Sequence, residues 1–244
     1  MERLQDRIEA INSRHKRSLG ELLALQANLE QWPGYSQLSA LTRIEVLGEI
    51  FVSSGPNPKL EKVFIVHPKL IETDEEISTL CECVYLRPDG RLLPCGGVRH
   101  KRSACPPFAP TAEETRKTLN GASAMALFKT ADFTEYQRQK DLHRTLLTIE
   151  EYLQNNGFEI VGSWSAGPCR VCEPENECLG EGKCRQSKLR RFSLEGSGMA
   201  VFLTCARIAD ITGDNSWQLE LIENWGLESQ SREAFPSVIA VAVK

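Results

Sequence analysis

Eight of the nine cysteines in this 244-residue chain fall into two groups. Cys169, Cys172, Cys178 and Cys184 follow the spacing C-x2-C-x5-C-x5-C, four thiols in one short stretch. Cys81, Cys83, Cys95 and Cys105 are spread more widely, with a turn signal at Arg87-Pro88-Asp89-Gly90 before Cys95. The ninth, Cys205, sits beside Ala200-Val201-Phe202-Leu203-Thr204 and reads as a small buried core residue. The N-terminus, MERLQDRIEA, carries charges where a secretory signal needs an apolar core. No apolar run reaches the ~18 residues needed to cross a bilayer. The expectation is therefore a cytoplasmic protein without membrane insertion. In that reducing setting, metal binding explains clustered thiols better than disulfides.

The segment around the second group contains Gly167, Pro168, Pro174, Gly180 and Gly182, so it reads as a long loop. Such a loop needs an internal organiser, and four thiolates around a metal centre would supply one. Zinc sites usually pair two short C-x2–4-C knuckles, whereas this chain has a single C-x2-C and wide remaining gaps. Prolines adjoin the cysteines at Pro94-Cys95, Cys105-Pro106 and Pro168-Cys169, as they do in ferredoxin-type loops. The balance favours [4Fe–4S] clusters, with zinc the alternative. His100, midway between Cys95 and Cys105, is a candidate replacement ligand, or else a solvated histidine in a basic run. Arg99-His100-Lys101-Arg102, and Arg185, Lys188, Arg190 and Arg191, would offset a negative thiolate centre, form a solvated face, or receive an anionic substrate or an acidic redox partner. The acidic run Glu173, Glu175, Glu177 and Glu181 argues against a uniformly anion-attracting surface.

Hydrophobic residues make up 41% and charged residues 25% of the chain, an ordinary globular balance. A net charge of −4 gives no general reason to expect nucleic-acid binding. There is no G-x-S-x-G, no Walker A sequence, no G-x-G-x-x-G after a strand and no H-E-x-x-H. Gly196-Ser197-Gly198 is too short to be a phosphate loop, and Trp164, Trp217 and Trp225 read as packing residues.

The elements that must hold the cysteines divide at Ser53-Ser54-Gly55-Pro56-Asn57-Pro58. Residues 1–55 form a helical extension, for dimerisation, docking or packing on the core; residues 56–244 form a cysteine-rich α/β domain. In the extension, Leu4, Ile8, Ile11, Leu22, Leu25 and Leu29 make a helical stripe. Ser18 with Glu21 offers a capping box, so a helical hairpin competes with one rod. A further amphipathic helix fits Leu38, Leu41, Ile44 and Leu47. Past the break, strands are expected at Val63–Val66, Met125–Phe128, Phe158–Trp164 and Val238–Val243. Helices are expected at 112–120, opened by Thr111 and Glu114, at 134–155, and near 216–225. The fold class is α/β, with a mainly parallel or mixed sheet covered by helices.

Cys105-Pro106-Pro107-Phe108-Ala109-Pro110, followed by Glu113-Glu114, resembles the CPP-aromatic-x-P signature of the DUF2284 family of predicted metal-binding proteins. Ala166-Gly167-Pro168-Cys169-x2-Cys172 with Cys184-Arg185 is similar to the same family, as is Phe192-Ser193-Leu194-Glu195 with Gly198-Met199-Ala200-Val201. The resemblance runs over roughly residues 60–244. It implies that Cys95, Cys105, Cys169, Cys172, Cys178 and Cys184 are metal ligands. The family places a C-x2-C before its CPP motif, whereas this chain has Cys81-x-Cys83 and then Cys95, which leaves the fourth ligand of the first site open between Cys81 and Cys83.

Three functions fit these residues. One is an electron-transfer or redox-accessory protein with two [4Fe–4S] clusters, a redox partner protein, and self-association through the N-terminal helices. Another is an enzyme whose three-cysteine cluster keeps an open iron as Lewis acid or sulfur acceptor, with His100, Arg99 and Glu195 as polar helpers. The third is a structural or interaction protein stapled by zinc.

Overall fold

The computed structural model describes residues 4–52, 60–82, 84–86, 92–94, 98, 101–130, 136–172, 178–219 and 237–244. Cys83, Cys95, Arg99, His100, Trp225 and most of the helix expected near 216–225 lie outside this set. Four helices come first: α1 (Leu4–Arg14), α2 (Leu19–Glu30), α3 (Tyr35–Leu41) and α4 (Ile44–Val52). The hairpin prevails over the rod because the capping box forms. Ser18 Oγ accepts the Glu21 N–H, and the Glu21 carboxylate accepts the Ser18 N–H at 2.8 Å. The single helix expected over Leu38–Leu47 is two, α3 and α4. At their junction the Thr42 hydroxyl bonds back to the Leu38 carbonyl at 2.8 Å, a local bond that competes with helix continuation.

After β1 (Leu60–Val66) come α5 (Glu75–Thr79), the hairpin β2 (Val84–Leu86) and β3 (Leu92–Pro94), α6 (Ala112–Asn120) and β4 (Ala124–Thr130). Helix α7 (Tyr136–Asn155), β5 (Ile160–Ser165), β6 (Phe192–Ser193), α8 (Val201–Thr212) and β7 (Val238–Val243) complete the order. Thr111 and Glu114 cap α6 as the sequence predicts. Where a helix is expected near 216–225, the described residues hold a short 3-10 turn, Asn215–Trp217, capped by Asp214 and ended by extended backbone at Gln218.

The main sheet runs β1-β4-β7-β5-β6. It is mixed: β1/β4, β4/β7 and β7/β5 are antiparallel, and only β5/β6 is parallel. Strand alternation divides the core in two, because successive side chains point to opposite faces. Met125, Leu127, Val238, Ala240 and Ala242 meet α8, Trp164 and Trp217 on one face. Ala124, Ala126, Phe128, Ile239, Val241 and Val243 meet Leu142, Leu146, Ile149 and Leu153 of α7 on the other. This is why β4 and β7 read as unbroken apolar runs.

Helix α2 crosses the β1 edge. Leu22 enters the first core and Leu29 the second, and between them Gln26 donates to the Ile65 carbonyl at 2.8 Å. Helix α1 buries Ile11 against Ile77, Ala200 and Leu203. Charge fixes the same corner. His15 Nε2 and Arg14 Nη2 each lie 3.0 Å from Asp74 Oδ2, and buried Arg207 reaches Glu72 at 3.1 Å and donates to the Leu70 carbonyl. Burial alone would raise the Asp74 carboxyl, but bonds from His15, the Glu76 N–H and Arg14 outweigh it and bring it to about 2. Among the described residues, no helix is long and apolar enough to cross a membrane.

Candidate metal centre

The chain leaves β5 and enters the cysteine loop through Gly167, which has φ of +66°. Further on, Gly180, Glu181 and Gly182 take left-handed conformations in succession, with φ of +70°, +50° and +78°. Glycine supplies two of these three positions without the steric penalty of a Cβ. The tight curl returns the chain so that Cys178 and Cys184 share a cavity with Cys169 and Cys172. A Cβ on Gly182 would lie only 3.1 Å from the Phe108 ring, so this glycine lets the Cys105–Pro110 segment close against the loop.

The cavity is small, and Arg102, Ser103, Ala104, Arg170, Val171 and Arg190 complete its lining. The four thiols are half-buried and lie within one another's electrostatic reach. Burial, with the Cys184 and Cys178 thiols, pushes the Cys169 thiol up despite N–H groups from Val171 and Arg191 aimed at its sulfur. Burial and the neighbouring thiols likewise push Cys172 up, against the nearby charge of Arg185. Cys178 differs. Burial opposes its ionisation, yet the Ser103 hydroxyl and N–H, the Gly180 N–H and the Arg102 charge together hold it below the ordinary thiol value. Among the described residues, no three His, Cys, Asp or Glu side chains converge closely enough to hold a single metal ion. The four thiols line one small cavity.

Several cations expected to offset a thiolate centre also do structural work. Arg102 donates to the Cys169 carbonyl at 3.1 Å. Arg190 lies over the Phe192 ring, 4.8 Å from its centroid, and donates to the Ser103 and Gly182 carbonyls at 3.3 and 3.4 Å. Arg191 forms a two-pronged pair with Glu150 of α7, Nε to Oε1 at 2.7 Å and Nη2 to Oε2. Glu181 bridges back to Lys101 at 3.3 Å. The Arg102, Arg190 and Lys101 bonds tie residues 101–103 to the loop, and the Arg191 pair ties the loop to α7.

The first cysteine group is only partly described. Cys81 is half-buried in a 3-10 turn, Leu80–Glu82, and Cys105 is buried, while Cys83 and Cys95 lie outside the described residues. The described members flank one feature. The Cys81 turn and Pro106, next to Cys105, both border the short turn Glu195–Ser197; a Cβ on Gly196 would meet Pro106 Cδ at 3.3 Å. Glu195 opens that turn, and burial pushes its carboxyl up. Gly198, with φ of +76°, closes it, and a Cβ there would come within 2.8 Å of Ala112 Cβ. Cys205 is fully buried, and burial pushes its thiol up to about 12, in keeping with a core residue.

Sequence spacing does not single out Ser103. Its residue is 1% exposed, its hydroxyl lies 3.5 Å from Cys178 Sγ and donates to the Lys183 carbonyl, and it sits far from Cys178 in sequence. The only available signal is its position within the basic run leading to Cys105.

No curated protein and no solved structure matches the chain. The family DUF2284, described as a predicted metal-binding protein, matches residues 93–217, just over half of the sequence. That span takes in Cys95, Cys105 and the whole 169–184 loop, and the chain belongs to this family of predicted metal-binding proteins.

Proposed function

We propose that Cys169, Cys172, Cys178 and Cys184 hold an iron–sulfur cluster of the [4Fe–4S] type, and that the protein transfers electrons or serves a partner enzyme as a redox accessory. The observation that carries this reading is that the four cysteines line one cavity together with Arg102, Arg170 and Arg190. In a [4Fe–4S] cluster each of the four cysteines would bind a different iron. A single zinc ion asks four thiolates to converge at about 2.3 Å. A cluster with four thiolate ligands carries net negative charge, and Arg102, Arg170 and Arg190 in the cavity wall favour it electrostatically. When bound, the cluster supplies one-electron chemistry. The chain's own residues orient the thiols, through N–H groups from Val171, Arg191, Gly180 and Ser103, and limit water access.

The first cysteine group is proposed as a second centre, with Cys105 and Cys95 joined by Cys81 or Cys83. Glu195, in the turn beside Cys81 and Pro106, is the polar group that an open-coordination enzyme would use there. The test is anaerobic purification with iron, acid-labile sulfide and zinc quantified together, followed by EPR of the reduced protein. Iron and sulfide in near-equal amounts are expected. Near-integral zinc with iron absent would replace this reading with the structural one.

A further inference from the structure

We infer that Ser103 is a positioning residue for the metal centre: it fixes the Cys178 sulfur and sets the electron density on it. The inference rests on the metal-centre reading above and adds a residue from outside the cysteine loop. Ser103 lies outside the cysteine loop, with Oγ 3.5 Å from Cys178 Sγ and its N–H aimed at the same sulfur.

The hydroxyl has one proton and two acceptors. With Cys178 as a thiol, the S–H can donate to Ser103 Oγ while the hydroxyl donates to the Lys183 carbonyl. A metal-bound sulfur carries no proton and becomes an acceptor only. The Ser103 hydroxyl is then its donor, and the Lys183 carbonyl its competitor. Metal binding at Cys178 thus changes the hydrogen bonding of a residue outside the loop.

Ser103 cannot drift away from this sulfur. Arg190 holds its carbonyl at 3.3 Å, the Arg102 side chain holds the Cys169 carbonyl at 3.1 Å, and the Glu181 N–H donates to the Lys101 carbonyl at 2.8 Å. A donor fixed in this way lowers the electron density on the sulfur and favours the reduced, more negative state of the centre. The segment then turns directly into Cys105, whose N–H donates to the Arg102 carbonyl at 3.0 Å.

The test compares wild type, S103A and S103T, each purified anaerobically, with iron and sulfide measured and the midpoint potential titrated. In parallel, metal-free protein is loaded with cobalt(II) and its sulfur-to-metal charge-transfer bands are recorded. S103A should bind as much metal as wild type but shift to a lower potential. At a fixed poise its reduced-to-oxidised ratio should fall about three- to tenfold, roughly 30–60 mV at 59 mV per decade. Its cobalt bands should move to lower energy, because a thiolate without its hydrogen bond is easier to oxidise. S103T keeps a hydroxyl and should restore both readouts, which a merely structural role would not require. Equal potentials and equal cobalt bands in wild type and S103A, at equal metal content, would overturn the assignment of Ser103 while leaving the cluster in place. Zinc in place of iron, with the cobalt bands still shifted in S103A, would overturn the cluster and keep Ser103. A wild-type chain that takes up neither iron nor cobalt overturns both.

Discussion

Replacing Glu150 with alanine should destabilise the protein through Arg191, and the size of the effect follows from burial. Glu150 lies on the inward side of α7 with its side chain 8% exposed; that of Arg191 is 18% exposed. Removing one partner of a fully buried ion pair costs about 3–5 kcal/mol, because the remaining charge stays desolvated. Arg191 keeps the Lys188 and Arg190 carbonyls as acceptors, at 2.9 and 2.8 Å, and some water reaches it, so about 2–3 kcal/mol is expected for E150A. R191M should cost a similar amount. The double variant E150L/R191M removes both charges and should lie within about 1 kcal/mol of wild type. The assay is urea unfolding of anaerobic protein, comparing midpoints at constant slope. Additive single effects, with a coupling energy below about 0.5 kcal/mol, would show that the pair is not the constraint described. The Arg191 N–H faces the Cys169 sulfur, so E150A should also release metal to a chelator faster than wild type.

Cysteine replacements should separate ligands from core. C172A should lose most of the metal held by the 169–184 loop. C205A should keep it, at a cost of about 1 kcal/mol for a small buried side chain, read by metal analysis and thermal unfolding. Asp74 gives a pH effect of known sign. Its folded carboxyl titrates at about 2 against an ordinary 3.8, so its contribution is present above pH 3.8 and is lost as pH falls toward 2. The difference is worth at most about 2.5 kcal/mol, or about 1–2 after screening by solvent. D74N should flatten acid unfolding in that range and loosen α1, measurable by amide exchange. G198A should cost at least about 1 kcal/mol, because it combines a φ of +76° with a 2.8 Å approach to Ala112; unchanged thermal stability would show that the turn relaxes freely.

Short-range features were the most legible in the sequence. The capping boxes at Ser18/Glu21 and Thr111/Glu114 form as read, since each needs only four residues. The inward stripe of α7 is fully buried at Leu142, Leu146, Ile149 and Leu153. The break between α3 and α4 was missed because Thr42 acts through a local side-chain bond that apolar spacing does not reveal. Sheet pairing was legible only as α/β with a mainly parallel or mixed sheet, and of those two the mixed sheet is found. An apolar run such as Val238–Val243 shows burial on both faces but not its neighbours, and here its neighbours β4 and β5 are antiparallel to it. At the site, the four loop cysteines could be grouped by spacing because they lie close in sequence. Ser103 could not, because the contact that matters crosses from one segment to another.

Strands β4 and β5 do not touch each other; β7 lies between them and pairs with both. The family-matched span 93–217 contains β4 and β5 but not the strand that joins them. During synthesis the ribosome delivers β7 after every other described strand, so the sheet can close only late, and only by pairings distant in sequence, which are slow to form. Until then Met125–Phe128 can pair only with β1, and its other edge is open to the same strand of another nascent chain. A fragment cut to the family boundary would lack β1 as well as β7 and leave both edges of β4 open, so the cysteine loop and its scaffold should be expressed together, from β1 through the C-terminal strand.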